Sequence, residues 1–191
     1  MHVDQKERDR RARARLILIG YPVVILLVSV VVDVFVLGVE PLVFAAPSAW
    51  SLRALIAASV LLVLNHTWIM TATELVRGRY RLQATPEEWT EAGLRAEEAP
   101  AEGVRELQRC HNLHRNSTEN TVVFALLVLP FVMVSPSPTI AGVWIVGFAV
   151  ARLGYTFAYL AKRTGVRGAF MTLSLLAMYG VATYLVAGLF L

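Results

Sequence analysis

The stretch NTVVFALLVLPFVMVSPSPTIAGVWIVGFAVA, residues 120–151, decides the fold class because it contains no Asp, Glu, Lys or Arg. A helix needs roughly 20 apolar residues to cross a membrane, so this stretch is too long for one span. Pro136 and Pro138 interrupt it in a Ser-Pro-Ser-Pro turn signal, which predicts one helix ending near Val134 and another starting near Thr139. The uncharged residues 168–191 predict a further span.

The composition of the whole chain also indicates a lipid environment. Of its 191 residues, 57% are hydrophobic and 17% are charged, whereas a soluble domain has about 45–50% and about 25%. The mean hydropathy is +0.58. These values exclude a soluble enzyme, a disordered tail and a nucleic-acid-binding module as first interpretations. The single cysteine, Cys110, excludes an internal disulfide and a cysteine-built metal site, and we expect no metal.

Two further apolar runs, at about residues 16–37 and 51–77, bring the expected membrane helices to five. A basic block precedes the first run, and the positive-inside rule keeps that block in the cytoplasm. It consists of Lys6, Arg8, Arg10, Arg11, Arg13 and Arg15. Five helices then place the connectors at about 78–108 and 162–167 on the same side, and the C-terminus on the opposite side. Only Arg53 falls on the opposite side. Nine basic residues lie in or beside the two connectors: Arg77, Arg79, Arg81, Arg95, Arg105, Arg109, Lys162, Arg163 and Arg167.

The first run allows a second interpretation, a cleaved signal peptide, because small residues at Ala45 and Ala46 follow it. Its apolar core exceeds the roughly 7–15 residues of a signal core, and Asp33 lies within it, so we favour a retained helix. The chain then divides into a basic N-terminus (1–15), an extra helix with its connector (16–45) and a four-helix domain (50–191). In the 78–108 connector, Thr85-Pro-Glu-Glu88 predicts a short helix with an N-cap, a first-turn proline and first-turn acids.

Polar side chains inside membrane helices are the candidates for function, because burying each one without a partner is costly. Just before the third apolar run, Asn112, Arg115, Asn116 and Glu119 fall within roughly a 100° arc of a helix. This face is either the polar end of an ordinary amphipathic helix, with an Arg115–Glu119 pair, or part of a binding site.

A second polar group lies on the fourth helix, where Arg152, Tyr155 and Tyr159 share a stripe about 60° wide. Arg152 lies about 15 Å from the end of that helix, which is too deep for ready solvation. We therefore expect it to meet a carboxylate inside the bundle, with Glu119 and Asp33 as the candidates. The tyrosines alone would be typical of a membrane interface.

A third polar group consists of cations and lies at the same depth in the membrane as the first two polar groups. Residues 162–167 form a tight basic connector whose last residue, Arg167, opens the fifth helix, while Arg77 closes the second. Anchoring explains such cations, but a cation beside a helix N-terminus also binds anions and stabilises thiolates. Several arginines, an acid, an amide and phenols suit an elongated anionic ligand such as glutathione, although other anions, including lipid head groups, meet the same demand.

The motifs His114-x-Asn-x-x-Glu-Asn120, Ser-Pro-Ser-Pro, Ala151-Arg-x-x-Tyr-Thr-x-Ala-Tyr-Leu160 and then Arg167 together resemble the MAPEG family, the membrane-associated proteins in eicosanoid and glutathione metabolism. The similarity covers about residues 60–191 and is greatest to the branch of microsomal glutathione transferase and microsomal prostaglandin E synthase. It implies an all-α, four-helix membrane protomer, here with one extra N-terminal helix. It also implies a homotrimer that binds glutathione between neighbouring subunits near the cytoplasmic face.

The resemblance also implies roles for individual residues. Position by position, the glutathione contacts are Arg77, Asn116, Glu119, Tyr155 and Tyr159, with Arg115 a contact of the prostaglandin synthase branch only. Arg167 corresponds to the arginine that stabilises the thiolate. Three positions depart from the pattern. Asn112 replaces an arginine of many members, Gly168 a serine of the prostaglandin and leukotriene synthases, and Met171 a tyrosine of the prostaglandin synthase branch.

These departures favour a general glutathione-dependent transferase or peroxidase that acts on lipophilic electrophiles or hydroperoxides arriving through the bilayer. One alternative is a non-catalytic lipid-binding protein resembling the lipoxygenase-activating member of the family. Such a protein would not need Arg167, Glu119 and both tyrosines together. Another alternative is a structural bundle whose arginines hold anionic membrane lipid, which leaves Arg152 unexplained. None of these hypotheses involves nucleic acid.

Overall fold

The computed structural model describes residues 2–191 and the side chains from Glu7 onward, and every regular element in this part of the chain is a helix. Five of these helices are long and apolar enough to cross a membrane, which confirms the all-α membrane class and the five spans. Lys6 of the basic block lies outside the described side chains.

The helices follow one another with short connections. In chain order they are α1 (His2–Val31), α2 (Ala49–Tyr80), α3 (Pro86–Glu91), α4 (Ala101–Met133), α5 (Pro138–Ala141), α6 (Gly147–Leu160) and α7 (Thr164–Gly188). A π-helical turn, Val32–Leu37, continues α1, and a second one, Gly142–Val146, joins α5 to α6. The segment from α5 to α6 therefore forms one span, Pro138–Leu160.

The local signals in the sequence end and start these helices as predicted. α4 ends at Met133 and α5 begins at Pro138, whose N-cap Ser137 accepts a hydrogen bond from the backbone of Ile140. The predicted short helix is α3, in which the side chain of Thr85 accepts from the backbone N–H of Glu88 at 3.3 Å.

The connectors are shorter than the charge pattern predicted. α4 already begins at Ala101 and α7 at Thr164, so Arg167 lies one turn inside α7 rather than at its start. The reason is that a polar helical turn is solvated well outside the lipid, so the last charged residue marks the membrane boundary and not the helix boundary.

The span Pro138–Leu160 lies at the centre of the bundle and packs against α2 and α7, while α4 packs against α2 and α1 against α7. In its apolar window 56% of the residues are buried, against 17% in the windows of α1 and α2. The core includes Phe124 and Phe148, whose rings stack at 3.8 Å. The outer helices therefore present broad apolar faces to lipid or to another chain.

The extra helix α1 is held on α7 by polar contacts along its length. The hydroxyl of Tyr21 donates to Thr172 at 2.6 Å, and further along both helices that of Ser29 donates to the backbone oxygen of Leu176 at 3.4 Å. Beyond α1, the backbone N–H of Leu42 donates to the carbonyl of Gly188. Because the paired residue numbers rise together, α1 and α7 run parallel, and the basic start of α1 lies at the same end of the bundle as Arg167.

Asp33 joins the two π-helical turns. It is fully buried, and it accepts hydrogen bonds from the indole Nε1 of Trp144 at 2.9 Å and from the hydroxyl of Thr183. Polar contacts of this kind within lipid are costly to break. They support the proposal that α1 is retained in the mature protein rather than removed as a signal peptide.

Replacing Asp33 by alanine is expected to lower the free energy of unfolding by about 2–3 kcal/mol, because the buried N–H of Trp144 loses its acceptor. The measurement is the midpoint of unfolding when sodium dodecyl sulfate is titrated into protein in mild-detergent micelles. Ser29→Ala, which removes the longer contact on the same helix, serves as the matched control and should cost less than about 1 kcal/mol. Equal midpoints for Asp33→Ala and the parent would show that this contact does not hold α1.

Candidate functional site

Two tyrosine rings lie in a row between two arginines along α6 and into α7. The guanidinium carbon of Arg152 lies 4.5 Å from the ring centroid of Tyr155, whose ring is 5.9 Å from that of Tyr159. The guanidinium carbon of Arg167 in turn lies 5.4 Å from the Tyr159 ring centroid. The helical spacing predicted the stripe on α6, and the three-residue turn between α6 and α7 brings Arg167 back onto it.

Arg152 is fully buried, but the predicted carboxylate partner is wrong. Its Nη2 donates to Oδ1 of Asn116 at 3.0 Å and its Nη1 to the sulfur of Met171 at 3.8 Å, while its Nε has no partner in the described part of the chain. Asp33 bonds Trp144 and Thr183 instead, and Glu119 is exposed on α4. The amide reaches the guanidinium because Asn116 lies nearly one helical turn before Glu119, at the level of Arg152.

The contact with Arg152 shows what the methionine at position 171 does: its sulfur is one of the two acceptors of that guanidinium. A thioether is a weak acceptor, and a neutral amide is the other partner, so the charge of Arg152 is only partly compensated. Asn116 is one of the residues that the family resemblance assigns to glutathione. In the single chain its amide oxygen is already engaged by Arg152.

A cavity of about 380 Å³ lies where α4, α6 and α7 meet. Four cations and one carboxylate line it, together with smaller groups: Arg109, Lys162, Arg163, Arg167, Glu106, Ala158, Tyr159 and Thr164. The N-cap of α7 makes no side-chain hydrogen bond to the first turn, so backbone N–H groups there remain available to an anion. The cavity therefore combines positive side chains with the positive end of a helix.

Two residues of this cavity, Arg109 and Glu106, were not singled out as functional from the sequence. Arg109 donates to the backbone oxygen of Tyr159 at 3.0 Å, and its guanidinium carbon lies 5.6 Å from the Tyr159 ring. Glu106 binds both Arg109 and Lys162 at 2.8 Å. The available signal was the Glu106–Arg109 spacing of three residues on a helix, which places both side chains on one face.

Three of the predicted site residues do not join this group within one chain. Arg77 lines a different cavity of about 450 Å³ and pairs with Glu74 at 2.8 Å. Arg115 donates to Asn112 at 3.3 Å, so the alternative Arg115–Glu119 pair does not form. Glu119 is exposed and makes no ion pair with the residues that the structure describes. A single chain therefore brings together Asn116, Tyr155, Tyr159 and Arg167. Arg115 and Glu119 are exposed, and the half-buried Arg77 lies in its separate cavity.

The chain is similar in sequence to a known protein family and to several known proteins. Residues 55–187 match the sequence model of the MAPEG family. The prostaglandin E synthase of Homo sapiens is 30% identical over 138 residues, which are 71% of this chain and 88% of that protein. The Canis lupus familiaris prostaglandin E synthase is 31% identical over 123 residues, 64% of this chain and 78% of its own length. Residues 55–187, which match the family model, contain every site residue described above and leave α1 outside.

Proposed function

Because the chain belongs to the MAPEG family, we propose that it is a membrane-bound glutathione-dependent enzyme of transferase or peroxidase type. Its second substrates would be lipophilic electrophiles or hydroperoxides. The observation that carries the proposal is the cavity at the start of α7, where Arg109 and Arg167 both approach the ring of Tyr159.

The lining of this cavity suits glutathione, which has two carboxylates and one ammonium group. Four cations line it, and two of them, Arg163 and Arg167, make no ion pair with a described residue. An arginine binds a carboxylate through two parallel hydrogen bonds. Glu106 is the one carboxylate present and is the group that the ammonium would approach. The phenol of Tyr159 would contact the peptide part of the ligand. Tyr155 lies beside Tyr159 without lining the cavity, and its contact with glutathione rests on the family resemblance.

In this proposal Arg167 stabilises the thiolate. A free thiol has a pKa of about 8.5, so at neutral pH most glutathione is protonated and unreactive. A guanidinium and the first-turn N–H groups of α7 both favour the anionic sulfur. The apolar outer faces of the helices would hold a lipophilic second substrate near that sulfur, which is catalysis by proximity.

The chemistry needs no covalent enzyme intermediate. In the transferase reaction the sulfur attacks an electrophilic carbon, a carbon–sulfur bond forms, and the leaving group departs with its electron pair. In the peroxidase reaction the sulfur attacks a hydroperoxide oxygen, the oxygen–oxygen bond breaks, and the alkoxide takes a proton to become an alcohol. The resulting sulfenic acid then reacts with a second glutathione to give the disulfide and water.

We also propose that the protein works as a homotrimer with its sites between subunits. Arg115 and Glu119 are exposed on α4, and the half-buried Arg77 lines a separate cavity at the end of α2, so none of the three lines the cavity that contains Arg167. A neighbouring chain that contacts this face would complete the set of residues. The low burial of α2 supports such a contact, since 17% of its apolar window is buried within one chain.

Mixing two inactive variants tests this shared site. Glu119→Gln and Arg167→Ala would each inactivate every site of a homotrimer. After co-expression, trimers that contain both variants are expected to show about a third of the parent activity, because one of the three cyclic interfaces in any such trimer pairs two intact halves. The measurement is turnover of co-purified trimers carrying two different affinity tags. Activity no higher than that of the single variants would place both residues in a site within one subunit.

The N-terminus and the glutathione site are proposed to face the cytoplasm. The parallel packing of α1 and α7 puts the basic block and the cavity at the same end of the bundle. A basic juxtamembrane segment is retained on the cytoplasmic side.

One experiment addresses the function directly. Glutathione is titrated into the purified protein while thiolate absorbance is followed, and the same preparation is then assayed with a reactive aryl halide and with a fatty-acid hydroperoxide. We expect a saturable thiolate signal and turnover of at least one substrate. If both the thiolate signal and the turnover were absent, the non-catalytic lipid-binding protein would be the better hypothesis.

A second candidate, formation of a prostaglandin E, is favoured by the relatives, which are named prostaglandin E synthases. Gly168 and Met171 depart from the pattern of that branch, and Met171 is engaged by Arg152. Incubation with a prostaglandin endoperoxide and glutathione distinguishes the candidates. A prostaglandin E product with no aryl-halide turnover would favour the second one.

A further inference from the structure

A second cavity, of about 450 Å³, lies between α2 and α4 and shares no lining residue with the cavity around Arg167. Its lining combines aliphatic side chains, among them Leu62, Ile69 and Val122, with polar groups of Asn65, His66, His114 and Thr118. None of its lining residues is Asp, Glu, Lys or Arg. Its occupant must therefore be mostly apolar and uncharged, with one polar end.

Asn65 indicates that the polar end of the occupant supplies a hydrogen-bond donor. The side chain is 1% exposed, and its Nδ2 donates to the hydroxyl of Ser117 at 3.0 Å. Its carbonyl Oδ1 is also buried, yet no described residue donates to it. Asn65 lies about 18 Å along α2 from Arg77, which places it at the depth of the lipid chains, where an unpartnered acceptor is costly.

His66 and His114 provide the hydrogen-bond donors that the polar end of a ligand would meet beside Asn65. The rings of His66 and His114 meet edge to face with their centroids 5.2 Å apart. A neutral imidazole carries one donor nitrogen and one acceptor nitrogen. A hydroxyl can donate to Oδ1 of Asn65 and at the same time accept from an imidazole N–H, whereas an ester or ether oxygen can only accept.

We propose that this cavity is a second ligand site, which binds a neutral single-chain amphiphile with a hydroxyl head group. The hydroxyl would lie between Asn65 and the two imidazoles, and the alkyl chain would contact the aliphatic lining residues. The proposal does not depend on the glutathione chemistry, because the two cavities have no residue in common.

The probe is a twelve-carbon alcohol that carries a mid-chain diazirine and a terminal alkyne. Its matched control is the same alkane without the hydroxyl. The parent protein in phosphatidylcholine nanodiscs is irradiated with each probe, digested, and mapped by mass spectrometry. We expect the alcohol to label peptides from both α2 and α4 around the cavity, and excess 1-dodecanol, but not dodecane, to compete with it.

Variants connect the labelling to the cavity. Asn65→Leu is expected to weaken competition by 1-dodecanol at least about threefold through the lost hydrogen bond. Because Asn65→Leu also breaks the bond to Ser117, Thr118→Phe provides a second variant that narrows the cavity and keeps that bond. Thr71→Val is the matched control, since its exposed hydroxyl donates to the backbone of Thr67 outside the cavity and its removal should change nothing.

Three outcomes would overturn the proposal. Equal labelling by the alcohol and the alkane would mean that the cavity holds water or ordinary lipid chains. Labelling unchanged by both Asn65→Leu and Thr118→Phe would place the ligand elsewhere on the protein. Rapid cross-linking between Thr118→Cys side chains of two protomers, without labelling by the alcohol, would show that a second copy of the chain covers the cavity.

Discussion

Arg167→Ala is expected to lower the rate of glutathione conjugation by about 10²–10³-fold, the usual cost of removing one preorganised group that stabilises a developing or reacting anion. The guanidinium of Arg167 lies against Tyr159 and lines the cavity at the N-terminal end of α7. Without it the helix end alone would have to favour the thiolate. The loss should therefore appear in the chemical step rather than in the binding of glutathione, for which three other cations remain.

The measurement combines two signals from the same preparation. The absorbance of bound thiolate should fall to near the background, and turnover of the aryl halide should fall with it, while the amount of glutathione bound at equilibrium changes less. Arg167→Lys keeps a positive charge but loses the planar set of donors, so it should retain a measurable part of the activity.

Arg163→Ala is the matched control for this prediction. Arg163 lines the same cavity, but it is exposed and its guanidinium carbon lies 5.9 Å from the ring of Phe157. Its removal subtracts one charge from the cavity without touching Tyr159. If Arg163→Ala lost as much activity as Arg167→Ala, the total charge of the cavity would matter and the position of Arg167 would not.

Arg152→Met is expected to separate stability from activity. Arg152 is fully buried at membrane depth, and its partners are an amide oxygen, a thioether and an aromatic ring, none of them a carboxylate. Replacing a buried charge by an apolar side chain of similar volume is often neutral or stabilising, by about 1–4 kcal/mol. We therefore expect the unfolding midpoint of the variant to equal or exceed that of the parent.

The activity of Arg152→Met should fall by about 10–100-fold, since a small misplacement of positioning groups costs about that much. Arg152 acts through its neighbours: it holds Asn116 by a hydrogen bond and lies over the ring of Tyr155. The expected signature is a raised KM for glutathione together with an unchanged fold, followed by circular dichroism and the unfolding midpoint. A variant that is both less stable and fully active once folded would mean that Arg152 has only a structural role.

Met171→Tyr changes the other side-chain partner of Arg152 and introduces the tyrosine of the prostaglandin synthase branch. The sulfur of Met171 is 3.8 Å from Nη1 of Arg152, and a phenol oxygen would be a stronger acceptor. If the departure at Met171 determines which reaction is catalysed, this variant should gain prostaglandin E formation relative to the parent. An unchanged ratio of products would assign that preference to Gly168 or to other positions.

The spans and most of the helix ends could be predicted because their causes are local. Hydropathy over 20 residues defines a span, and Ser137-Pro138 and Thr85-Pro86 start helices through hydrogen bonds within one turn. The stripe of Arg152, Tyr155 and Tyr159 likewise follows from helical spacing alone. The errors near residues 101 and 164 have a physical cause as well, because charge responds to the lipid boundary while backbone hydrogen bonding continues beyond it.

The partners across helices could not be predicted, because they depend on which faces meet and at which height. Arg152 meets Asn116 rather than Glu119, and Asp33 meets Trp144 through two facing π-helical turns that no sequence pattern indicated. The sequence by itself determined five membrane helices, most of their ends and a polar stripe, since each depends on neighbours within a turn or two. Only the tertiary structure decided that Arg109, Tyr159 and Arg167 form one cationic cavity, and that Arg77 and Glu119 lie outside it, because contacts between helices depend on rotation and depth in the membrane, which hydropathy does not encode.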